Sequence, residues 1–310
     1  MDSSQRGTDV RFQGDWDAWA EAHVGEELVS TRTSWDLRDV LVFATAVGAD
    51  LRRDRRFLLE PYGPQLLPTF VSVAVGSWQS ELSRRHYAGQ RALVGGFEYA
   101  LHGRIPVRGR SSTSVVLSRV EARASMTVVW HTTTTTDEAG ALLATGRHTL
   151  LLLDAPARRD IGEAEYRVFE PAGGQDGTAL VETIDIDGRA VELYRALLPL
   201  VPGVAGPDQV HTDRAVAQAS GLPTCPLHSM AAVGYMGVAV ARALPQVHAD
   251  AISGVAARFR RPVFPGDRLQ VALRQAGVLP NAASDVWALE VSKADGERAL
   301  DNAWIAVRRE

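Results

Sequence analysis

The sequence predicts a duplicated α+β fold, each unit laying down helices first and an antiparallel sheet after. Three observations predict it. Helical spacing at 37–48 is followed by β-branched runs at 114–120, 125–135 and 141–153; helical spacing at 187–200 and 229–244 is followed by runs at 258–264, 268–275, 286–292 and 299–307. Ile105-Pro106-Val107-Arg108-Gly109-Arg110 lines up with Arg261-Pro262-Val263-Phe264-Pro265-Gly266, and Asp137-Glu138-Ala139-Gly140 with Ala294-Asp295-Gly296-Glu297. The helix expected at 229–244 carries Ala231, Ala232, Gly234, Gly237, Ala239 and Ala241. Glycine costs roughly 1 kcal/mol against alanine inside a helix, so this one needs a packing reason, such as a sheet curled closely around it.

Taken in order, residues 1–34 form a polar N-terminal extension with one amphipathic piece at 16–27. The first unit spans 35–155. Its opening helix starts at an N-cap of Asp36 or Ser34 and stops at Gly48. Residues 66–75 fit a strand or the start of a buried helix, and from Gly103 the pattern is β. His131-Thr132-Thr133-Thr134-Thr135-Thr136 is expected as a half-exposed strand. A linker at 156–176, with Pro171-Ala172-Gly173-Gly174, leads to the second unit at 177–310. The helices at 37–47 and 229–244 are the expected centres of the two units, which should share one continuous sheet.

Composition narrows the function. The 310 residues are 45% hydrophobic and 23% charged with net charge −4, giving no bulk attraction to nucleic acid or anionic lipid. Of 33 basic residues only Lys293 is lysine, a bias of a GC-rich genome; Arg52-Arg53-Asp54-Arg55-Arg56 reads as a solvated face. Cys225 is the single cysteine, so neither an internal disulfide nor a thiolate metal site is expected. The eight histidines have no metal-ligand spacing and no glycine-rich phosphate loop occurs, so neither metal nor cofactor is expected. Without an apolar leader or a run long enough to cross a bilayer, the expected location is the cytoplasm.

The chemistry concentrates near His211. It sits in Asp208-Gln209-Val210-His211-Thr212-Asp213, and Pro226-Leu227-His228-Ser229-Met230 soon follows, opening the small-residue helix. A loop histidine facing a helix start combines a titratable base with unpaired backbone N–H donors, the equipment for chemistry beside a carbonyl. His211 is the candidate acid/base and Asp208 its candidate partner; Ser229 and Met230 supply the candidate oxyanion donors. Asp213 is expected to cap the short helix after it. His228, Cys225 and Gly234 are expected to line the pocket, His228 by holding the turn and Cys225 as a small buried hydrophobe.

At this point the chain resembles the MaoC-like double-hotdog dehydratases, including the hydratase 2 part of peroxisomal multifunctional enzymes, over about residues 35–310. Leu37 to Ala44, Val47-Gly48-Ala49 and Leu66-Leu67-Pro68-Thr69-Phe70 look like the family's N-terminal half, and Arg258 to Asp267 is similar to its closing-sheet motif. His211-Thr212-Asp213 and Pro226-Leu227-His228-Ser229-Met230 fall on its hydratase motif and its Pro-x-x-His-Gly-Met stretch. The resemblance implies a double hotdog, each sheet wrapped around a central helix, and a lyase that hydrates trans-2-enoyl thioesters or dehydrates (R)-3-hydroxyacyl thioesters. The family pattern Asp-x-Asn-Pro-x-His is altered: Gly206, Asp208 and Gln209 stand at its Asp, Asn and Pro positions. Ser229 replaces a glycine, and Gly95 stands where histidine is common.

Three functions follow as expectations: an acyl-thioester hydratase/dehydratase acting on acyl-CoA or acyl-carrier-protein thioesters; a repurposed cyclase or pericyclic catalyst in polyketide tailoring; and a non-catalytic acyl-binding subunit. A homodimer without nucleic-acid or membrane partners is expected, the third reading calling for a partner chain. His211 should line a pocket at the junction of the two units.

Overall fold

The computed structural model describes residues 15–59, 63–76, 78–87, 90–153, 157–163, 179–197, 207–279 and 283–309, without the side chains of 207 and 208. The first half comprises α1 (Trp16–His23), β1 (Glu27–Trp35), α2 (Leu37–Ala46), α3 (Val71–Ala74), α4 (Trp78–His86), β2 (Ala92–Leu101), β3 (Gly109–Arg123), β4 (Met126–Asp137) and β5 (Leu142–Leu152). The second comprises β6 (Leu180–Asp185), α5 (Ala190–Arg195), a 3-10 turn (Pro207–His211), α6 (Arg214–Ala219), α7 (Ser229–Ala243), β7 (Ile252–Phe259), β8 (Arg268–Leu279), β9 (Ser284–Lys293) and β10 (Arg298–Arg308).

All ten strands join one sheet in the order β1-β3-β4-β5-β2-β7-β10-β9-β8-β6. Followed from either edge to the middle, this is one order used twice, so the duplication and the shared sheet are both present. The halves meet where β2 pairs antiparallel with β7, Phe97 opposite Ala257 and Tyr99 opposite Val255. Arg308, at the end of β10, ties this seam by donating to the carbonyls of Leu101 (2.9 Å) and Asp250 (2.6 Å).

The same order corrects one expectation. α2 follows β1 as α5 follows β6, whereas α4 directly precedes β2 as α7 precedes β7. The central helix of the first half is therefore α4. Its Trp78 and Leu82 pack with Val115, Leu117, Val129, Leu150 and Leu152, closed over by Trp16 and Ala20 of α1. α2 belongs instead to the large core around α7, where it buries Val40, Phe43, Ala44 and Ala46. The apolar spacing of α2 made it conspicuous, while α4 shows only two large apolar residues among Arg84, Arg85 and Glu81.

α2 begins on a capping box in which Asp36 and Asp39 accept from each other's backbone N–H. It ends at Gly48, whose φ of +84° belongs to glycine and where a Cβ would fall 2.6 Å from the Tyr235 ring. Residues 71–74 are helical, settling the ambiguous stretch at 66–75. β1 lies inside the stretch read as an extension; its polar alternation, Ser30 to Ser34, hid a sheet edge paired with β3. Within β4, His131, Thr133 and Thr135 turn inward and are buried, while Thr134 faces out, as a half-exposed strand requires. Most of the linker expected at 156–176 lies outside the described residues. Its start rests on the first half through Ala157, whose N–H donates to Thr127 Oγ1, and a bridge between Ile161 and Val120.

Candidate active site

His211 ends the 3-10 turn that begins at Pro207, and this turn lies against α4 of the first half. Immediately after it, Asp213 caps α6, accepting from the N–H groups of Ala215 (2.8 Å) and Val216 (3.3 Å), as expected. The chain then returns through Pro226, whose carbonyl sits 2.9 Å from His211 Nδ1. A carbonyl only accepts, so Nδ1 carries the proton and the basic lone pair is on Nε2. Cys225, half-buried, precedes that proline.

His228 is the residue that starts α7, and its ring stacks on His211 with centroids 4.0 Å apart and planes 24° apart. It is buried, and neither ring nitrogen has a hydrogen-bond partner among the described residues. Burial, followed by the charges of His211 and Arg195, pushes its pKa down to about 3 and keeps it neutral. The Tyr194 ring of α5 lies 5.6 Å from it, tilted by 33°. Sequence reasoning missed Tyr194, which is distant in the chain and matches no motif; only its place in an amphipathic helix marked it as inward-facing.

At the start of α7 the Ala231 N–H already turns back to the His228 carbonyl at 2.9 Å. No described hydrogen bond engages the N–H of Ser229 or Met230, and His228 provides no side-chain cap. These half-buried residues thus present donors beside the stacked histidines.

Two candidates fare differently. Asp208 lies in the same 3-10 turn as His211, but its side chain, like all of Gly206, is outside the described residues. Gly234, expected in the pocket, is a packing glycine: a Cβ there would fall 2.3 Å from Val47 Cγ1 and 3.3 Å from Phe43. Gly237 likewise faces Thr69 at 2.3 Å. The two glycines of α7 therefore admit the end of α2 and the 66–70 loop. No group of three or more histidine, cysteine or acidic side chains converges among the described residues. None of their helices is long and apolar enough to cross a membrane.

Residues 207–292, which carry this cluster, match the family model for a MaoC like domain. A 3-hydroxyacyl-thioester dehydratase Y of Mycobacterium tuberculosis is 28% identical over 273 residues, spanning 86% of this chain and 89% of the relative. Among solved structures, a MaoC-like dehydratase from Phytophthora capsici superposes with TM-score 0.75 at 15% identity, covering 93% of this chain and 98% of its own. A Mycobacterium tuberculosis protein described as a double hotdog superposes with TM-score 0.60 at 18% identity, covering 91% and 96%. The chain has the double-hotdog fold of these structures, and its second half carries the match to the MaoC like domain.

Proposed function

We propose that this protein is an acyl-thioester hydratase/dehydratase, interconverting 3-hydroxyacyl and 2-enoyl thioesters of CoA or acyl carrier protein. One observation carries the reading. His211 is held by Nδ1 on the Pro226 carbonyl, stacked on a neutral His228, at a helix start whose first N–H groups no described residue engages. The name of the dehydratase relative supports it.

In the dehydrating direction the thioester carbonyl accepts from the Ser229 and Met230 N–H groups, which stabilises the charge developing on oxygen and acidifies the α-carbon. Nε2 of His211 takes the α-proton. The β C–O bond breaks, and the hydroxyl departs as water with that proton, or with one relayed by Asp208. Hydration runs the same steps backward. The neutral His228 ring supports the imidazolium that His211 becomes, a cation over a π-face.

Hydration of crotonyl-CoA tests this. His211→Ala should lower kcat/KM by about 100- to 10,000-fold, the usual worth of a general acid/base. Asp208→Asn should cost a comparable factor, because paired groups fail together. Equal rates for wild type and His211→Ala would remove the reading. One observation favours a second function, a polyketide-folding catalyst: Gly206 stands where the family carries its aspartate. That case requires turnover of a polyketide substrate with no hydration of crotonyl-CoA.

A further inference from the structure

The inner face of the first half sets buried polar side chains among its apolar ones, where that of the second is aliphatic. Ser111, Thr113, His131, Thr133, Thr135 and His148 are all buried there. Several find partners: Ser111 Oγ and Thr113 Oγ1 donate to the carbonyls of Ala74 (2.5 Å) and Val75 (2.9 Å), and the Tyr87 hydroxyl meets His131 Nε2 at 2.8 Å. The rest do not. His131 Nδ1, both nitrogens of His148, Thr133 Oγ1 and Trp78 Nε1 are buried without a hydrogen-bond partner among the described residues. Each such atom bears its full desolvation penalty if nothing ever satisfies it.

These atoms are neighbours. His131 and His148 are directly opposed on β4 and β5, and Trp78 lies 4.6 Å from His148 and 6.0 Å from His131. Thr133 Oγ1 and the Tyr99 ring converge on Gly146, where a Cβ would fall 2.6 Å from each. Tyr99 in turn lies 4.9 Å from His148. The cluster is also continuous with the site already described. α4, which Trp78 opens, lies against the turn ending in His211.

The chemistry of the set selects a ligand. The Tyr87 hydroxyl can donate to His131 Nε2 or accept from it, so His131 Nδ1 offers a donor in the first arrangement and an acceptor in the second. Trp78 is a donor only; Thr133 and neutral His148 can donate and accept. No charged side chain belongs to the cluster, so an ionic group would be buried at prohibitive cost, whereas a hydroxyl or carbonyl would find complementary partners. Resting on the thioester reading above, we propose that the first half's interior recognises an uncharged, oxygenated acyl chain, hydrogen-bonding a distal hydroxyl or carbonyl through His131, His148, Thr133 and Trp78.

The test compares kcat/KM for a medium-chain trans-2-enoyl-CoA and for the same chain carrying a distal hydroxyl. Wild type should prefer the hydroxylated chain by at least about tenfold, the worth of about 1.4 kcal/mol. In His148→Phe and in the near-isosteric Thr133→Val the ratio between the two substrates should fall toward one. Should His148→Phe fail to fold, Thr133→Val carries the comparison. Equal kcat/KM in wild type, or a preference unaltered by both substitutions, overturns the inference while leaving the thioester reading intact. Turnover of neither chain overturns both.

Discussion

The two halves share a strand order yet fill it with opposite chemistry. Inside the second, Leu269, Val271, Leu273, Leu289 and Val291 face the fifteen-residue α7. Inside the first, histidines and threonines face the nine-residue α4, and aromatic residues from α1 complete the packing. Duplication has preserved the hydrogen-bonded frame, which depends on backbone and turns, and released the interior, which depends on side chains. One half sets an aliphatic sheet under the helix that begins at Ser229; the other sets buried histidines and threonines beside it.

Acid should separate them most strongly. Burial holds His131 and His148 at pKa values of about 3, and His228 likewise, against 6.5 when the chain unfolds. Above the unfolded value both states are neutral and stability is complete. Below it the unfolded chain takes up protons that the folded one refuses, so stability falls from about pH 6.5 toward pH 3. The slope approaches about 1.4 kcal/mol per pH unit for each histidine. Urea unfolding at a series of pH values should show this decline, with His148→Phe reducing the slope by about one histidine's share. An unchanged slope in that variant would mean that the first half's interior admits protons.

The helices differ next. Arg242 of α7 is buried and holds Asp54, also buried, with contacts of 2.5 to 3.2 Å, together with Asp50 (3.0 Å) and the Gly48 carbonyl (3.1 Å). All of its partners come from the first half. In α4, by contrast, Glu81 pairs with Arg84 and Arg85 along the exposed side of the same helix. Removing one member of a buried pair strands the other charge, so Arg242→Met should cost about 3–5 kcal/mol. Glu81→Ala should cost less than about 1 kcal/mol. Thermal melts of the two variants check the contrast, and similar losses would erase it.

This difference also explains what the sequence made legible. The strands β3–β5 and β8–β10 announce themselves through Val, Leu and Thr runs with turn residues between. β2 escaped notice because Gly95 and Gly96 interrupt its pattern exactly where it curves into the seam with β7, Gly96 passing 3.0 Å from the Ala257 carbonyl at its would-be Cβ. α4 escaped because its job is done by two residues, Trp78 and Leu82. Near the site, His211 and His228 were readable together because one short stretch of chain holds both. Tyr194 and the inward-facing His131 and His148 were not: their roles arise from strand pairing and helix packing between distant segments, which alternation alone cannot reveal.

The smallest effect concerns two caps with the same residue and different surroundings. Asp36 starts α2 in the first half, and Asp213 starts α6 in the second. Each should cost about 0.5–2 kcal/mol of stability when changed to alanine, since each leaves helix-start N–H groups without an acceptor. Their effects on catalysis should diverge. Asp213 follows directly on the turn that delivers His211, so loosening it lets the Nδ1 bond to Pro226 wander, and a displacement of about 1 Å from working geometry can cost on the order of 100-fold. Asp36 starts a helix that reaches the stacked histidines only through α5, Phe43 meeting Tyr194 at 6.3 Å, and it carries no part of the turn that holds His211. Measured on crotonyl-CoA with both variants fully folded, Asp213→Ala should lower kcat more than KM is raised, and Asp36→Ala should leave both near wild type. Equal kinetic losses for the two caps would show that helix stability, rather than the aim of His211, governs the site.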